Sequence, residues 1–141
     1  MNLLQQFYQG KTTRLSRTFT NDDVEKSKAL TRDVSPIYDE REKEWKAYYK
    51  KPVIPALLTE GLITEAISSK LPGSPCVLLQ KDLVFYSPVH VGQKITVELT
   101  IIDVNEERNW LTQKVTCFDD QGNEVIRGQV VLLLLIDNDS W

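Results

Sequence analysis

Apolar positions recur along this chain at two different periods, and the change between them falls near residues 72–75. Residues 52–71 read PVIPALLTEGLITEAISSKL. On a 100° wheel Leu58, Leu62, Ile63, Ala66 and Ile67 cover roughly half the circumference, with Glu60, Thr64, Glu65 and Ser68 opposite. Pro52 and Pro55 suit an extended entry and a first helical turn, where a missing N–H costs least. Leu71-Pro72-Gly73 closes the helix, because proline cannot continue it and glycine takes the following turn. So wide an apolar arc predicts a helix that is enclosed. Thr59 lies inside the arc, so its hydroxyl is expected to bond a backbone carbonyl one turn back.

Beyond that helix the period falls to two. Segments 76–86, 95–104, 110–118 and 124–136 read as strands. The first carries Val77, Leu79, Leu83 and Phe85 on one face; the second sets Ile95, Val97, Leu99 and Ile101 against Thr96, Glu98 and Thr100. Their connectors hold Ser87-Pro88 with Gly92, then 105–109, then 119–123 around Gly122, and short connectors predict antiparallel hairpins. The last strand contains VVLLLLI and abandons alternation, so cover is expected on both faces, half of it from a second subunit or a curved sheet. Before the helix, Leu3, Leu4, Phe7 and Tyr8 suggest an amphipathic turn, and 11–19 an extended segment. Thr20 and Asp23 form a capping box that opens a helix over 21–30. A loop over 31–39 follows, then a charged helix over 40–51 with one aromatic stripe, Trp45, Tyr48 and Tyr49. The pattern predicts an α+β fold in which a helix packs on an antiparallel meander.

Composition narrows the function classes. The 141 residues suit a single domain, 1–141, with a core of its own. A net charge of −3 and the absence of a basic run argue against a nucleic-acid partner. The N-terminus lacks the charged and apolar regions of a signal peptide, and the longest apolar run, 130–136, is far too short to span a membrane. Cys76 and Cys117 form no metal or redox spacing; they read as reduced core thiols of a cytoplasmic protein, and no metal is expected.

Four blocks in order resemble the MaoC-like hotdog family, whose members include the (R)-specific enoyl-CoA hydratases. FTNDDVEKSKALTRDVSPIYDE is similar to the family's FTxxDvxxFaxLtGDxNPIHxD, and PVIPALLTEGLITEAISSKLPG to its xIAHGMLtaxLixxxLgxxLPG. KDLVFYSPVHVGQKITVELTIIDV and NEVIRGQVVLLL resemble its later strands, so the likeness runs over about residues 17–135. It implies one hotdog domain, a long central helix wrapped by a curved antiparallel sheet, paired as a homodimer or larger with substrate between subunits. It also implies water addition to a trans-2-enoyl-CoA, giving an (R)-3-hydroxyacyl-CoA in fatty-acid metabolism. The coenzyme A thioester is then the substrate, and no resident cofactor is needed. In the family an Asp and a His of the GDxNPIH loop hold and deprotonate the water, and a backbone N–H at the helix start polarises the thioester carbonyl. The Asp position falls on Asp33, the Asn position on Ser35 and the His position on Tyr38. The family's His-Gly pair falls on Pro55 and Ala56, with Leu57 beside them as a substrate contact; Ala56 keeps an N–H and Pro55 has none.

Tyr38 is the main departure. A phenol with an ordinary pKa about 10 is a poor base at neutral pH, where histidine both takes and returns a proton. Asp33 is then the expected base, with Tyr38 and Ser35 positioning the water. Two further readings stay open: a catalytically silent hotdog subunit or acyl-CoA sensor, and a thioesterase in which Asp33 directs water at the carbonyl. The helix also resembles that of acyl-carrier-protein dehydratases with PVxPGVLxxEA, but their catalytic Glu position is Gly61 here, and Glu60 lies one residue early. His90, the only histidine, falls outside the family's catalytic position and reads as a surface-loop residue. Acyl length, and coenzyme A against a carrier protein, are left open by these residues.

Overall fold

The structure, a computed structural model, describes residues 3–38 and 51–135. The helix expected over 40–51 and its Trp45/Tyr48/Tyr49 stripe lie outside the described residues. After a short helix α1 (Leu3–Gln6), strand β1 (Thr12–Thr18) leads into α2 (Asn21–Thr31). A 3-10 turn (Pro36–Tyr38) precedes the central helix α3 (Ala56–Ser69), and β2 (Cys76–Phe85), β3 (Lys94–Asn105), β4 (Trp110–Asp119) and β5 (Glu124–Leu134) follow.

All five strands form one antiparallel sheet in the order β1-β3-β4-β5-β2. Rows of side chains cross it on the helix side: Val97–Cys117–Ile126, Leu99–Val115–Gly128 and Ile101–Gln113–Val130. Except for glycine these residues are almost wholly buried, and α3 inserts Leu62, Ile63 and Ala66 into the same core. The fold is thus the hotdog arrangement, a helix held in a curled antiparallel sheet. Gly128 allows the curl at one place. A Cβ there would stand 1.9 Å from the Asp82 carbonyl oxygen on the neighbouring strand, so no larger residue fits.

The capping box opening α2 is present, with the Asp23 amide donating to Thr20 Oγ1 and the Thr20 amide to Asp23 Oδ2. β2 departs from expectation. A bulge between Leu78 and Gln80 shifts the register, so Val77 faces away from the side shared by Leu83 and Phe85. Val77, Leu79 and Phe85 are all exposed, and Leu83 packs against the core. On β5, Val130, Val131 and Leu132 are consecutively buried, as loss of alternation predicted. Thr59 is buried, yet its hydroxyl makes no bond to the carbonyl one turn back. Gln113 is the polar member of the core rows: its amide Nε2 donates to the Leu71 carbonyl at 2.9 Å, holding the chain that leaves α3.

Candidate functional site

Asp33 follows directly on the end of α2. Arg32 closes that helix in the left-handed region at φ 60°, its amide donating to the Lys28 carbonyl at 2.8 Å. An L-residue adopts this conformation at a cost of about 1–2 kcal/mol, and in the family pattern this place is the glycine of GD. The turn then folds back on the carboxylate. The Ser35 amide donates to Asp33 Oδ1 at 3.1 Å, and the Asp33 amide to Thr31 Oγ1 at 3.2 Å. Ser35 therefore holds the carboxylate through its backbone.

The 3-10 turn brings Tyr38 round so that its hydroxyl donates to Asp33 Oδ2 at 2.7 Å. Its ring is half-buried and packs against the core. Burial, then the hydrogen bond to Asp33, then the charge of that carboxylate push the Tyr38 phenol up to about 12. Near neutral pH it is a fixed neutral donor. Both Asp33 oxygens thus already accept one bond each, from Ser35 and from Tyr38.

Residues 52–55 run extended beside this pair and deliver the chain to α3. Three hydrogen bonds pin them. The Val53 amide donates to the Ile37 carbonyl at 3.0 Å, and the Ile54 amide to the Val89 carbonyl at 2.8 Å. His90 Nδ1 donates to the Pro52 carbonyl at 2.8 Å. A carbonyl only accepts, so the Nδ1–H tautomer is fixed when the ring is neutral. His90 is thus a partly exposed loop residue, as expected, but one tied to the segment that leads into α3. Its partner lies 38 residues away, and no local pattern signals such a bond.

Pro55 stands at the N-cap of α3 with no side-chain cap bond. The first-turn amides of Ala56 and Leu57 have no intrahelical acceptor by helix geometry, and they sit at the positive end of the helix dipole. Ala56 and Tyr38 line one cleft of about 260 Å³, walled by Ile37, Val53, Phe85 and Pro88. Asp33 is not among the lining residues; its link to the cleft is Tyr38, which lines the cleft and donates to the carboxylate. Pro55 is buried, and Leu57 is exposed beyond the cleft. Among the described residues no group of three His, Cys, Asp or Glu side chains is placed to hold a metal ion. Glu60 forms an ion pair with Lys81, and Gly61 is exposed beside it.

No family model matches the chain. An (R)-specific enoyl-CoA hydratase of Rhodospirillum rubrum is 22% identical over 134 residues, 95% of this chain and 92% of that protein. A mitochondrial 3-hydroxyacyl-[acyl-carrier-protein] dehydratase of Solanum lycopersicum is 27% identical over 127 residues, 89% of this chain and 76% of its own length. Among solved structures, the (R)-hydratase from Aeromonas caviae involved in PHA biosynthesis superposes with a TM-score of 0.86 at 25% identity, covering 92% of this chain and 98% of that one. In sequence and in fold the chain is similar to the MaoC-like hotdog hydratases and dehydratases. Its kinship is with the hydratases and dehydratases of that fold. Against the Asp–His loop pattern that the sequence resembles, Asp33 here is joined by a phenol in place of an imidazole.

Proposed function

We propose that this MaoC-like protein binds acyl thioesters and adds water to a trans-2-enoyl-CoA, giving the (R)-3-hydroxyacyl-CoA. The observation that carries this reading is the Tyr38–Asp33 hydrogen bond, 2.7 Å, beside a cleft that also reaches Ala56 at the start of α3. In the proposed reaction the thioester carbonyl accepts the Ala56 N–H, and charge developing on that oxygen meets the helix dipole. Water bonded at the Tyr38 hydroxyl gives its proton to Asp33 as its oxygen attacks C3; the same proton returns to C2, so no co-reactant is consumed. Ser35 steadies the carboxylate, and Pro55 and Leu57 flank the carbonyl's donor. The thioester is substrate, and no resident cofactor enters the scheme.

Asp33→Asn should abolish loss of the conjugated enoyl-thioester absorbance with crotonyl-CoA while leaving thioester binding within about threefold. Tyr38→His should raise the rate by restoring a group that titrates near neutral pH. A second reading has an observation of its own: both Asp33 oxygens are already occupied by Ser35 and Tyr38. If the wild type binds butyryl-CoA, hydrates nothing, and gains no activity with Tyr38→His, the chain is a silent acyl-thioester binder. Release of free thiol from an acyl-CoA would instead mark a thioesterase.

Features of the chain support a proposed assembly and location. The apolar free edge at β2 suits a homodimer or larger with the cleft near its interface, since Phe85 and Pro88 line it. No helix among the described residues is long and apolar enough to cross a membrane. Both cysteines are free thiols, which suits a reducing compartment such as the cytoplasm.

A further inference from the structure

We infer that His90 is a positioning residue for this site: its Nδ1–H tethers the Pro52 carbonyl and so fixes the direction in which the Ala56 N–H is presented to a bound thioester carbonyl. The inference rests on the acyl-thioester reading above and adds to it a residue that touches no substrate.

Pro52 opens the run that delivers the chain to α3, and as a proline it has no N–H. Its carbonyl is therefore the one backbone group by which that end can be tied. In extended backbone, neighbouring residues turn their polar groups to opposite sides. The Val53 amide goes to the Ile37 carbonyl, in the turn that carries Tyr38. The Pro52 carbonyl and the Ile54 amide go instead to the loop between β2 and β3. There the Val89 carbonyl accepts from the Ile54 amide, and His90 Nδ1 donates to the Pro52 carbonyl, each at 2.8 Å. A backbone group and the next residue's side chain thus grip the run at two points.

His90 can serve as an anchor because its own loop is tied down. Its amide donates to Gln93 Oε1 at 3.1 Å, and the Gln93 amide donates back to the His90 carbonyl at 3.2 Å. Gln93 Nε2 reaches Asp119 Oδ2 at 3.4 Å, and the Gly92 amide donates to the Phe19 carbonyl at 3.0 Å. Val89, beside His90, is buried in the core. Only Val53, Ile54 and Pro55 separate the tether from Ala56; all three are buried, and the Pro55 ring holds φ at −56°. So short and stiff a run passes a displacement at Pro52 on to the helix start. The Leu58 amide already donates to the Pro55 carbonyl at 3.0 Å, which leaves the amides of Ala56 and Leu57 to face a ligand. A hydrogen bond from Ala56 weakens steeply as its N–H turns off line, and misplacement by about 1 Å is worth about a hundredfold at a reacting centre.

Infrared difference spectroscopy of butyryl-CoA, isotope-labelled at its thioester carbonyl, is the test. It reads the polarisation of that oxygen without turnover, so it serves a hydratase and a silent binder alike. On the wild type the carbonyl stretch should fall below its position in water. In His90→Phe, which keeps a ring and loses the donor, it should return most of the way, while the dissociation constant changes by less than about tenfold, the scale of one hydrogen bond. His90→Leu takes its place should the phenylalanine variant melt early. His90→Asn, whose Nδ2 stands as many bonds from Cα as the imidazole Nδ1, should bring the lowered stretch back. A lowered stretch that persists in a folded variant without the donor, or a loss that His90→Asn does not reverse, overturns the tether alone. A wild type that binds butyryl-CoA without lowering the stretch overturns the Ala56 donor and the tether together. Failure of the wild type to bind it at all overturns the acyl-thioester reading as well.

Discussion

At the scale of single residues, Tyr38 changes what the loop does. A phenol bonded to a carboxylate keeps its proton, and here burial adds to the effect, raising the group from 10.0 to about 12. The linkage has a definite sign. The folded state holds this proton more tightly than the unfolded state, so the contribution to stability is fully present below pH about 10. It is lost as pH rises through about 12, and between pH 5 and 9 Tyr38 adds no slope. Tyr38→Phe should therefore flatten the alkaline fall of the melting temperature while leaving its neutral profile parallel to the wild type. In an absorbance titration of the tyrosines, the signal lost in Tyr38→Phe should be one that ionises at about 12. Ionisation of all of them near the ordinary value, with the protein still folded, would show that the Asp33 bond is not kept in solution. That Asp33, Ser35 and Tyr38 would lie together was legible in the sequence, because one contiguous loop carries all three. His90 was not, because its meaning comes from a carbonyl 38 residues earlier that only the folded chain brings near.

At the scale of elements, α3 was legible because its apolar arc repeats for nearly three turns, and the observed helix buries Leu62, Ile63 and Ala66 from that arc. Its start differs slightly from the pattern: Pro55 stands at the N-cap and Ala56 is the first helical residue, which leaves the Ala56 amide to open the turn. Leu62 is fully buried under the sheet, so Leu62→Ala should cost roughly 2–5 kcal/mol in a denaturant unfolding experiment. A loss below about 0.5 kcal/mol would mean that the helix is not enclosed. Strand bounds also follow the sequence closely, since alternation and turn residues agree at each end. The bulge in β2 was hidden. A single extra residue reverses the faces of a strand, and VLL beside a mixed polar stretch reads equally well in either register.

At the scale of the whole molecule, the two edges of the sheet are unlike, and this bears on assembly. β1 is blunted by charge: Arg14 pairs with Glu98 at 2.7 Å, and Arg17 with Asp23 and Glu65 at 3.4 and 3.6 Å. β2 is longer, at 10 residues, and presents Val77, Leu78, Leu79, Val84 and Phe85 with 43–49% of each exposed. An apolar free edge of that length pairs readily with another strand, and in an isologous dimer the partner is the same edge of a second copy. The wild type should therefore show the mass of a dimer or larger by light scattering at micromolar concentration. Leu79→Lys, near the middle of β2, would set like charges close together across the two-fold axis. It should shift the mass toward the monomer without lowering the melting temperature of the isolated fold, because Leu79 is 44% exposed and contributes little to the core. A wild type that runs as a clean monomer would remove the shared interface. An unchanged dimer mass in Leu79→Lys would place that interface on another surface of the sheet.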